Sequence, residues 1–112
     1  MKSALITGVA GQDGSYLAEL LLGKGYRVEG LVMGEKETED SRIAHLRGRV
    51  NTHSCDVRDR EKIFDIVKTT KPDEVYHFAS LVEPRVLFER EAEIFEVNFN
   101  STHHLLQAVK SQ

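Results

Sequence analysis

This 112-residue chain has only one cysteine, no excess of positive charge and no long hydrophobic run. Its one cysteine excludes an internal disulfide framework and is typical of a protein from a reducing cytosol. It has no excess of positive charge, since 15 Lys and Arg stand against 18 Asp and Glu, and this argues against nucleic-acid or membrane-surface partners. Apolar runs such as Leu20, Leu21 and Leu22 are far too short to span a bilayer. These absences predict a cytoplasmic globular protein and leave its chemistry open.

What is present fits one folded unit over residues 1–112. Hydrophobic residues make up 40% and charged residues 29%, which is too apolar for a disordered chain. A chain of this size buries roughly 65% of its unfolded surface, which is enough for a core. The sequence has no internal repeat, no low-complexity segment and no Pro-, Gly- or Ser-rich linker.

Two hydrophobic periods alternate along the chain. Short apolar runs predict four strands, at residues 4–7, 27–32, 50–55 and 74–79. Helical spacing predicts helices at 16–24, from an Asp59 cap to residue 70, and at 91–110, with Leu17, Leu20 and Leu21 on the buried face of the first. Residues 33–47 read as a charged loop with one helical turn near its end. This order predicts an α/β fold with a parallel sheet, because parallel strands need crossover connections.

The strongest local signal lies between the first strand and the first helix, where three glycines follow the spacing G-x-x-G-x-x-G. Gly8 would permit the sharp turn, Gly11 would leave the backbone open to a pyrophosphate, and Gly14 would let the helix pack closely. The pyrophosphate would then meet free N–H groups at the positive end of the helix dipole. The alternative is a plain glycine-rich turn, whereas a Walker loop is excluded because no Gly-Lys-Ser/Thr follows. The pattern therefore predicts dinucleotide binding.

The residues after the second strand leave the choice between NAD and NADP open. An acidic residue there would bind the adenosine ribose of NAD, and a basic one would accept the 2′-phosphate of NADP. Met33 and Gly34 do neither, and the nearby Glu35 and Lys36 act in opposite directions. Arg42 is a further candidate, and a merely solvated charged loop is the alternative.

Asp56 follows the third strand, on the side where the adenine should lie. Its carboxylate would accept from the exocyclic amine of the base. The alternative is a helix-capping role, for which Asp59 competes.

Residues 8–22 read GVAGQDGSYLAELLL and are followed by Lys24, Gly25 and Tyr26. This run resembles the opening of the GDP-mannose 4,6-dehydratases, a family of extended short-chain dehydrogenases/reductases. The similarity continues without gaps past Asp56 and through Val75 and Tyr76 to Val109. It covers nearly all of this chain but only the opening part of such an enzyme.

The resemblance implies a Rossmann-type sheet of about four strands in the order 3-2-1-4, as a truncated NAD(P)-binding domain. It implies a lyase that turns GDP-mannose into a 4-keto-6-deoxy sugar nucleotide. In that reaction NADP takes a hydride from C4, water leaves across C5 and C6, and the hydride returns to C6. Full-length members are expected to be cytoplasmic homo-oligomers. The implied cofactor contacts comprise phosphate ligands Gly8, Gly11, Gln12, Asp13 and Gly14, adenosine-side residues Arg42, Asp56 and Val57, and Phe78, Ala79 and Ser80 beside the nicotinamide ribose.

The chain also departs from the family pattern. Met33 and Gly34 replace a usual arginine pair, which weakens the argument for NADP over NAD. Residues 80–84 read SLVEP where the family has approximately AQSHV, and these positions approach the sugar nucleotide. Ser101 replaces a usual glycine.

The Tyr-x-x-x-Lys pair of such enzymes is absent, because Leu20, Gly30 and Ser80 stand four residues after the three tyrosines. We therefore expect no catalytic residue in this chain. No set of residues has the spacing of a metal site either: His103 and His104 are adjacent, and nothing near His53 and Cys55 completes a ligand set.

Three hypotheses follow from the sequence. The first is the cofactor-binding part of a sugar-nucleotide dehydratase. The second is the same part of an NAD-dependent epimerase or reductase, which the changed residues 80–84 favour. The third is a non-catalytic dinucleotide-binding module, or a subunit that lends its cofactor site to another chain.

Overall fold

The structure, a computed structural model, describes residues 1–32, 44–46, 48–56, 58–78 and 101–110. Its elements are β1 (Ser3–Thr7), α1 (Gln12–Gly23), β2 (Arg27–Val32), β3 (Val50–Ser54), α2 (Arg60–Thr70), β4 (Glu74–His77) and α3 (Ser101–Lys110). A single 3-10 turn, Ala44–Leu46, lies before β3. The part of the predicted last helix before residue 101 falls outside the described residues.

The four strands form one parallel sheet in the order β3-β2-β1-β4. This confirms the predicted α/β class and strand order. β1 occupies the centre, where its five residues are all buried. Such a strand is buried along its whole length because helices cover both faces of a parallel sheet.

Successive side chains of a strand point to opposite faces, so the sheet has two separate apolar clusters. On one face, Ala4, Ile6 and Val28 pack against Ala18 and Leu21 of α1. On the other face, Leu5 and Leu31 pack with α2 and α3, which contribute the buried residues Ile63, Ile66, Val67, Leu105 and Ala108. Leu105 and Ala108 are three residues apart in α3 and therefore lie on the same side of that helix.

Helix α1 differs from its prediction in two respects. It begins at Gln12 rather than at residue 16. The prediction missed the first turn because that turn is polar and has no apolar residues at helical spacing. Leu20 is exposed, whereas Gly14, Ser15, Ala18 and Leu21 are buried, so the face that meets the sheet is built mainly from small residues. The leucine spacing alone did not reveal this rotation of the helix.

Hydrogen bonds close the amino edge of the sheet. The N–H of Ser3 donates to Asp73 Oδ2 at 2.8 Å, and the N–H of Asp73 donates to the carbonyl of Ser3 at 2.9 Å. Arg27 Nη2 donates to the carbonyl of Thr70 at 2.6 Å. These bonds fasten the segment before β4 to β1 and β2.

Candidate functional site

The carboxyl ends of all four strands lie at one edge of the sheet, because the strands are parallel. At strand spacings of about 4.8 Å this edge is about 14 Å wide. The glycine turn follows β1 at this edge, Asp56 follows β3 and Phe78 follows β4. The sheet thus places the described site candidates along one edge, with the glycine turn near the middle.

The glycine turn begins at Gly8, whose φ is +69°. Side chains other than hydrogen rarely tolerate that conformation, so the residue type is required by the backbone. The N–H of Gly11 donates to the carbonyl of Gly8 at 3.0 Å and closes the turn. The predicted role of Gly8 in the sharp turn therefore agrees with its positive φ angle.

Gly14 lies against the same turn from inside helix α1. A Cβ at Gly14 would stand 2.3 Å from the carbonyl oxygen of Gly8 and 2.9 Å from Cα of Val9. Real Cβ atoms essentially never come that close to backbone atoms, so a larger residue would push the helix away from the turn. The third glycine therefore permits close packing of the helix on the turn, more than on the sheet itself.

The amino end of α1 leaves hydrogen-bond donors without partners inside the helix. Gly11 is the N-cap and contributes no side-chain oxygen, while the first N–H to bond in the helical pattern is that of Ser15, to the carbonyl of Gly11. Helix geometry leaves the N–H groups of Gln12, Asp13 and Gly14 without a helical carbonyl. Gln12 and Asp13 are exposed. Such an end attracts anions through its N–H groups and its dipole.

Asp56 is held by its neighbour Arg58. The Arg58 guanidinium donates to both carboxylate oxygens, at 2.6 to 3.1 Å, and the Arg58 N–H donates to Oδ1 at 2.9 Å. Hydrogen bonding to Arg58 is the main reason that the pKa of Asp56 lies below its ordinary value. Helix α2 is capped instead by Asp59, which accepts from the N–H of Lys62 at 3.1 Å. Of the two aspartates, Asp59 is thus the cap, and the Asp56 carboxylate remains at the sheet edge.

Cys55, directly before Asp56, is buried, and its thiol donates to the carbonyl of Asp56 at 3.4 Å. Burial is the largest cause that raises the pKa of the thiol to about 11. A thiol with such a pKa is protonated at neutral pH and is a poor nucleophile. We therefore assign Cys55 to packing.

Thr7 and His77 meet at the carboxyl ends of the neighbouring strands β1 and β4. Thr7 Oγ1 and His77 Nδ1 share a hydrogen bond of 2.6 Å, and the N–H of Phe78 donates to the carbonyl of Thr7 at 3.1 Å. Burial lowers the pKa of His77, so its ring is neutral at pH 7. Phe78 follows His77 and is 41% exposed, next to the start of the glycine turn.

The remaining predicted contacts fall outside the described residues. These are Arg42, Val57, Ala79 and Ser80, together with the loop residues Glu35 and Lys36.

Sequence reasoning missed three features at or near this edge: the Thr7–His77 bond, the pairing of Arg58 with Asp56, and the role of Gly30. A Cβ at Gly30, in the middle of β2, would stand 2.5 Å from Cγ1 of Val9, so this glycine makes room for the turn. A glycine inside a strand often marks such a close approach, and this signal was available in the sequence. The two pairings depend on side-chain rotamers and leave no pattern in the sequence.

An open groove with a volume of about 660 Å³ lies between α2 and α3. None of its lining residues belongs to the predicted site; they are Arg60, Phe64, His103, Leu106, Gln107 and Lys110. Across the part of the chain that the structure describes, no helix is long and apolar enough to cross a membrane.

Comparison with known proteins gives a family match over almost the whole chain. The sequence model described as GDP-mannose 4,6 dehydratase matches residues 5–112. GDP-mannose 4,6-dehydratase of Yersinia enterocolitica is 40% identical over 117 residues, covering 98% of this chain and 32% of the relative. This alignment is longer than the 112-residue chain, so it contains gaps, and the expectation of a similarity without gaps was wrong. The human enzyme of that name is 37% identical over 116 residues, covering 96% of this chain and 31% of the relative. The chain thus spans about a third of the length of these curated relatives.

Solved structures with the same arrangement include nucleotide-sugar epimerases. UDP-glucose-4-epimerase from Stenotrophomonas maltophila, with bound NAD and formylated UDP-arabinopyranose, has a TM-score of 0.84 at 25% identity, covering 98% of this chain and 34% of that one. UDP-glucose 4-epimerase of Thermus thermophilus in complex with NAD has a TM-score of 0.83 at 28% identity, covering 97% and 34%. These neighbours agree with a Rossmann-type fold and support a nicotinamide dinucleotide as the cofactor class.

Proposed function

The chain belongs to the GDP-mannose 4,6-dehydratase family, and we propose that it is the NAD(P)-binding part of a dehydratase acting on GDP-mannose. The observation that carries this proposal is the glycine turn. A fixed left-handed Gly8, a closely packed Gly14 and an exposed N-cap Gly11 leave the amino end of α1 open to a pyrophosphate. We take residues 1–112 as one domain of a longer enzyme.

In this proposal the phosphates lie over Gly11 and accept hydrogen bonds from the N–H groups of Gln12 and Asp13. Asp13 contributes its main chain, because its carboxylate would repel a phosphate at neutral pH. Gly8 and Gly14 act indirectly by fixing the turn against the helix. The fit rests on the missing side chain at Gly11, where any Cβ would stand in the phosphate path.

The two ends of the dinucleotide lie on either side of the turn. We propose that Asp56 accepts from the adenine amine, and that Phe78, whose N–H donates to the carbonyl of Thr7, contacts the nicotinamide ribose. By the family resemblance, Arg42 and Val57 are proposed as further adenosine contacts, and Ala79 and Ser80 as further contacts of the nicotinamide ribose. We propose NADP as the cofactor on the strength of the family, with NAD as the alternative, because Met33 and Gly34 replace the arginine pair that would support NADP.

When bound, the nicotinamide ring supplies a site that accepts a hydride from the sugar and returns it. The chain itself binds and orients, and it holds no Tyr-x-x-x-Lys pair to move a proton. We therefore propose that residues 1–112 bind the dinucleotide without converting GDP-mannose on their own. The complete enzyme is proposed to work in the cytoplasm as a homo-oligomer.

Fluorescence titration of the chain with NADPH and with NADH tests the proposal. We expect saturable binding of at least one of them, and loss of binding in Gly11→Val. Gly23→Val is the matched control, because Gly23 ends the same helix and nothing lies within 4 Å of its Cβ position. If the unmodified chain binds neither nucleotide, the proposed function is wrong. If Gly11→Val binds as well as Gly23→Val does, the phosphate site is misplaced.

A second candidate is the cofactor-binding part of an NAD-dependent nucleotide-sugar epimerase or reductase. It is favoured by the similarity to epimerase structures that contain NAD. The coding sequence beyond codon 112 separates the candidates. An in-frame Tyr-x-x-x-Lys supports an enzyme, and incubating the complete product with GDP-mannose or with UDP-glucose then identifies the reaction. A stop codon at that point would instead favour a non-catalytic binding module.

A further inference from the structure

The hydrogen bond between Thr7 and His77 joins the end of β1, which leads into the glycine turn, to the end of the neighbouring strand β4. We propose that His77 is a positioning residue for the dinucleotide site, acting through Thr7 on the backbone at Gly8. This inference rests on the proposed function, because it concerns the same phosphate-binding turn.

The first step in the argument is the position of the pair. Thr7 is the last residue of β1 and lies opposite His77, the last residue of β4, in the register of the two strands. Gly8 follows Thr7 directly and changes to a positive φ. A rotation about the backbone at Thr7 would therefore tilt the Gly8 carbonyl, to which the N–H of Gly11 is bonded.

The second step is what fixes Thr7. Its main-chain carbonyl accepts from the N–H of Phe78, as in an ordinary strand ladder. Its hydroxyl bonds to the ring of His77, and this second bond restrains the side-chain rotamer as well as the main chain. Two contacts from the end of β4 thus hold the residue on which the turn is built.

The third step is burial. Thr7 is fully buried, and the loss of a hydrogen bond from a buried hydroxyl is unfavourable, so the bond to His77 is favoured in the folded state. The ring of His77 is neutral and has one N–H and one bare nitrogen. Either tautomer can therefore form the bond, since the threonine hydroxyl both donates and accepts.

Four single variants of the chain and the double variant Thr7→Val/His77→Leu test the proposal. Thr7→Val and His77→Leu remove one partner of the bond while keeping a side chain of similar bulk. Thr7→Ser and His77→Asn keep a hydrogen-bonding group near the original atom. Each variant is titrated with whichever of NADPH and NADH the unmodified chain binds, and its melting temperature is recorded.

We expect Thr7→Val and His77→Leu each to weaken dinucleotide binding by about tenfold, which is the scale of one lost buried hydrogen bond. The double variant should be little weaker than either single one, because both remove the same bond. Thr7→Ser and His77→Asn should restore binding to within about threefold of the unmodified chain. If only the bulk of the two side chains mattered, these smaller polar residues would not restore binding.

Tyr26→Phe is the control for stability alone. It removes the hydrogen bond from Tyr26 to Glu74 at the opposite, amino edge of the sheet. It should lower the melting temperature while leaving the dissociation constant of the nucleotide unchanged. A Tyr26→Phe variant that weakens binding as much as His77→Leu would overturn the inference, because binding would then follow global stability.

Failure of this inference is distinguishable from failure of the proposed function. If the chain binds the nucleotide and Gly11→Val abolishes binding, the phosphate site stands. Unchanged affinity in a folded His77→Leu variant would then overturn the positioning role alone. If His77→Leu does not fold, Thr7→Val decides in its place.

Discussion

The guanidinium of Arg58 occupies both carboxylate oxygens of Asp56. Oδ1 accepts from the Arg58 N–H at 2.9 Å and from Nε at 3.0 Å, while Oδ2 accepts from Nε at 3.1 Å and from Nη2 at 2.6 Å. A carboxylate offers about four acceptor positions, and all are engaged here. A new donor such as an adenine amine must therefore displace at least one contact with Arg58.

This competition predicts that Arg58→Ala tightens dinucleotide binding. The pair is about one-third exposed on each side, so breaking it is worth no more than about 1 kcal/mol, and we expect a gain of at most about fivefold. Arg60→Ala is the matched control, because the Arg60 guanidinium lies over the ring of Phe64, 4.5 Å from its centroid. Weaker binding in Arg58→Ala than in Arg60→Ala would show that the arginine orients Asp56 for binding rather than competing for it.

The same pair predicts a pH effect. Because Arg58 lowers the pKa of Asp56 in the folded state, its small stabilising contribution is present above the unfolded pKa and is lost as the pH falls through the folded pKa. In Arg58→Ala the pKa of Asp56 should rise toward the ordinary value. Carboxyl-carbon NMR titration of both proteins measures this directly, and an unchanged midpoint would contradict the assigned cause.

The close contact between Gly14 and the turn predicts that alanine substitutions at Gly14 and Gly23, both in α1, have different effects on the free energy of unfolding. Gly14→Ala places a Cβ 2.3 Å from the carbonyl oxygen of Gly8, and we expect a loss of about 1–3 kcal/mol in the free energy of unfolding. Gly23→Ala meets no atom within 4 Å and should be neutral, or stabilising by up to about 1 kcal/mol. Urea denaturation measures both. Equal stabilities would mean that helix α1 can move off the turn without penalty.

The Cys55 thiol should be inert in the folded chain. Its pKa is raised to about 11, so the stability that burial of the neutral thiol confers is full below pH 9.0 and is lost as the pH rises toward 11. A disulfide reagent at pH 8 should react with it only after unfolding, whereas it should react promptly with a Ser54→Cys/Cys55→Ser variant, since residue 54 is exposed. Rapid labelling of the unmodified chain would show that the thiol reaches solvent.

The buried position of Glu29 in β2 predicts that replacing it with an apolar residue stabilises the folded chain. Its side chain is 9% exposed, its Oε2 has no hydrogen-bond partner among the described residues, and its Oε1 lies 3.6 Å from Nε2 of His53. A buried, poorly satisfied carboxylate is unfavourable, so Glu29→Leu should raise the free energy of unfolding by about 1–2 kcal/mol. Glu61→Leu, on the exposed side of α2, should change it by less than about 0.5 kcal/mol. A marked loss in Glu29→Leu would reveal a strong partner for this carboxylate.

Much of the fold could be predicted because it depends on local patterns. The apolar runs gave the strands to within a few residues, and Asp59 marked the start of α2 through its capping side chain. Helix α1 was placed four residues late, because its first turn serves the site and carries no buried stripe. Leu20 was assigned to the core, yet close contact with the turn through Gly14 fixes the rotation of the helix, and that rotation turns Leu20 outward.

The candidate site could be predicted only as far as its residues follow a motif. Gly8, Gly11 and Gly14 were identified by spacing, and Gly8 and Gly14 have the backbone constraints that the motif requires. The partners of Asp56 and Thr7 could not be predicted, because Arg58 is two residues from Asp56 in a loop and His77 is 70 residues from Thr7. Such pairings are decided by rotamers and strand register, which the sequence does not display.

The central place of β1 has a consequence for synthesis. On the ribosome, β1 emerges before its two neighbours and can pair with β2 soon afterwards. Its other edge stays unpaired until β4 is made, since His77 lies 70 residues after Thr7. At ordinary rates of translation that interval is on the order of seconds, during which an apolar strand edge is open to pairing with other chains. The hydrogen bonds between Ser3 and Asp73 can form only after the segment before β4 has been made. They then hold β4 next to β1, so the open edge of β1 is no longer available to other nascent chains.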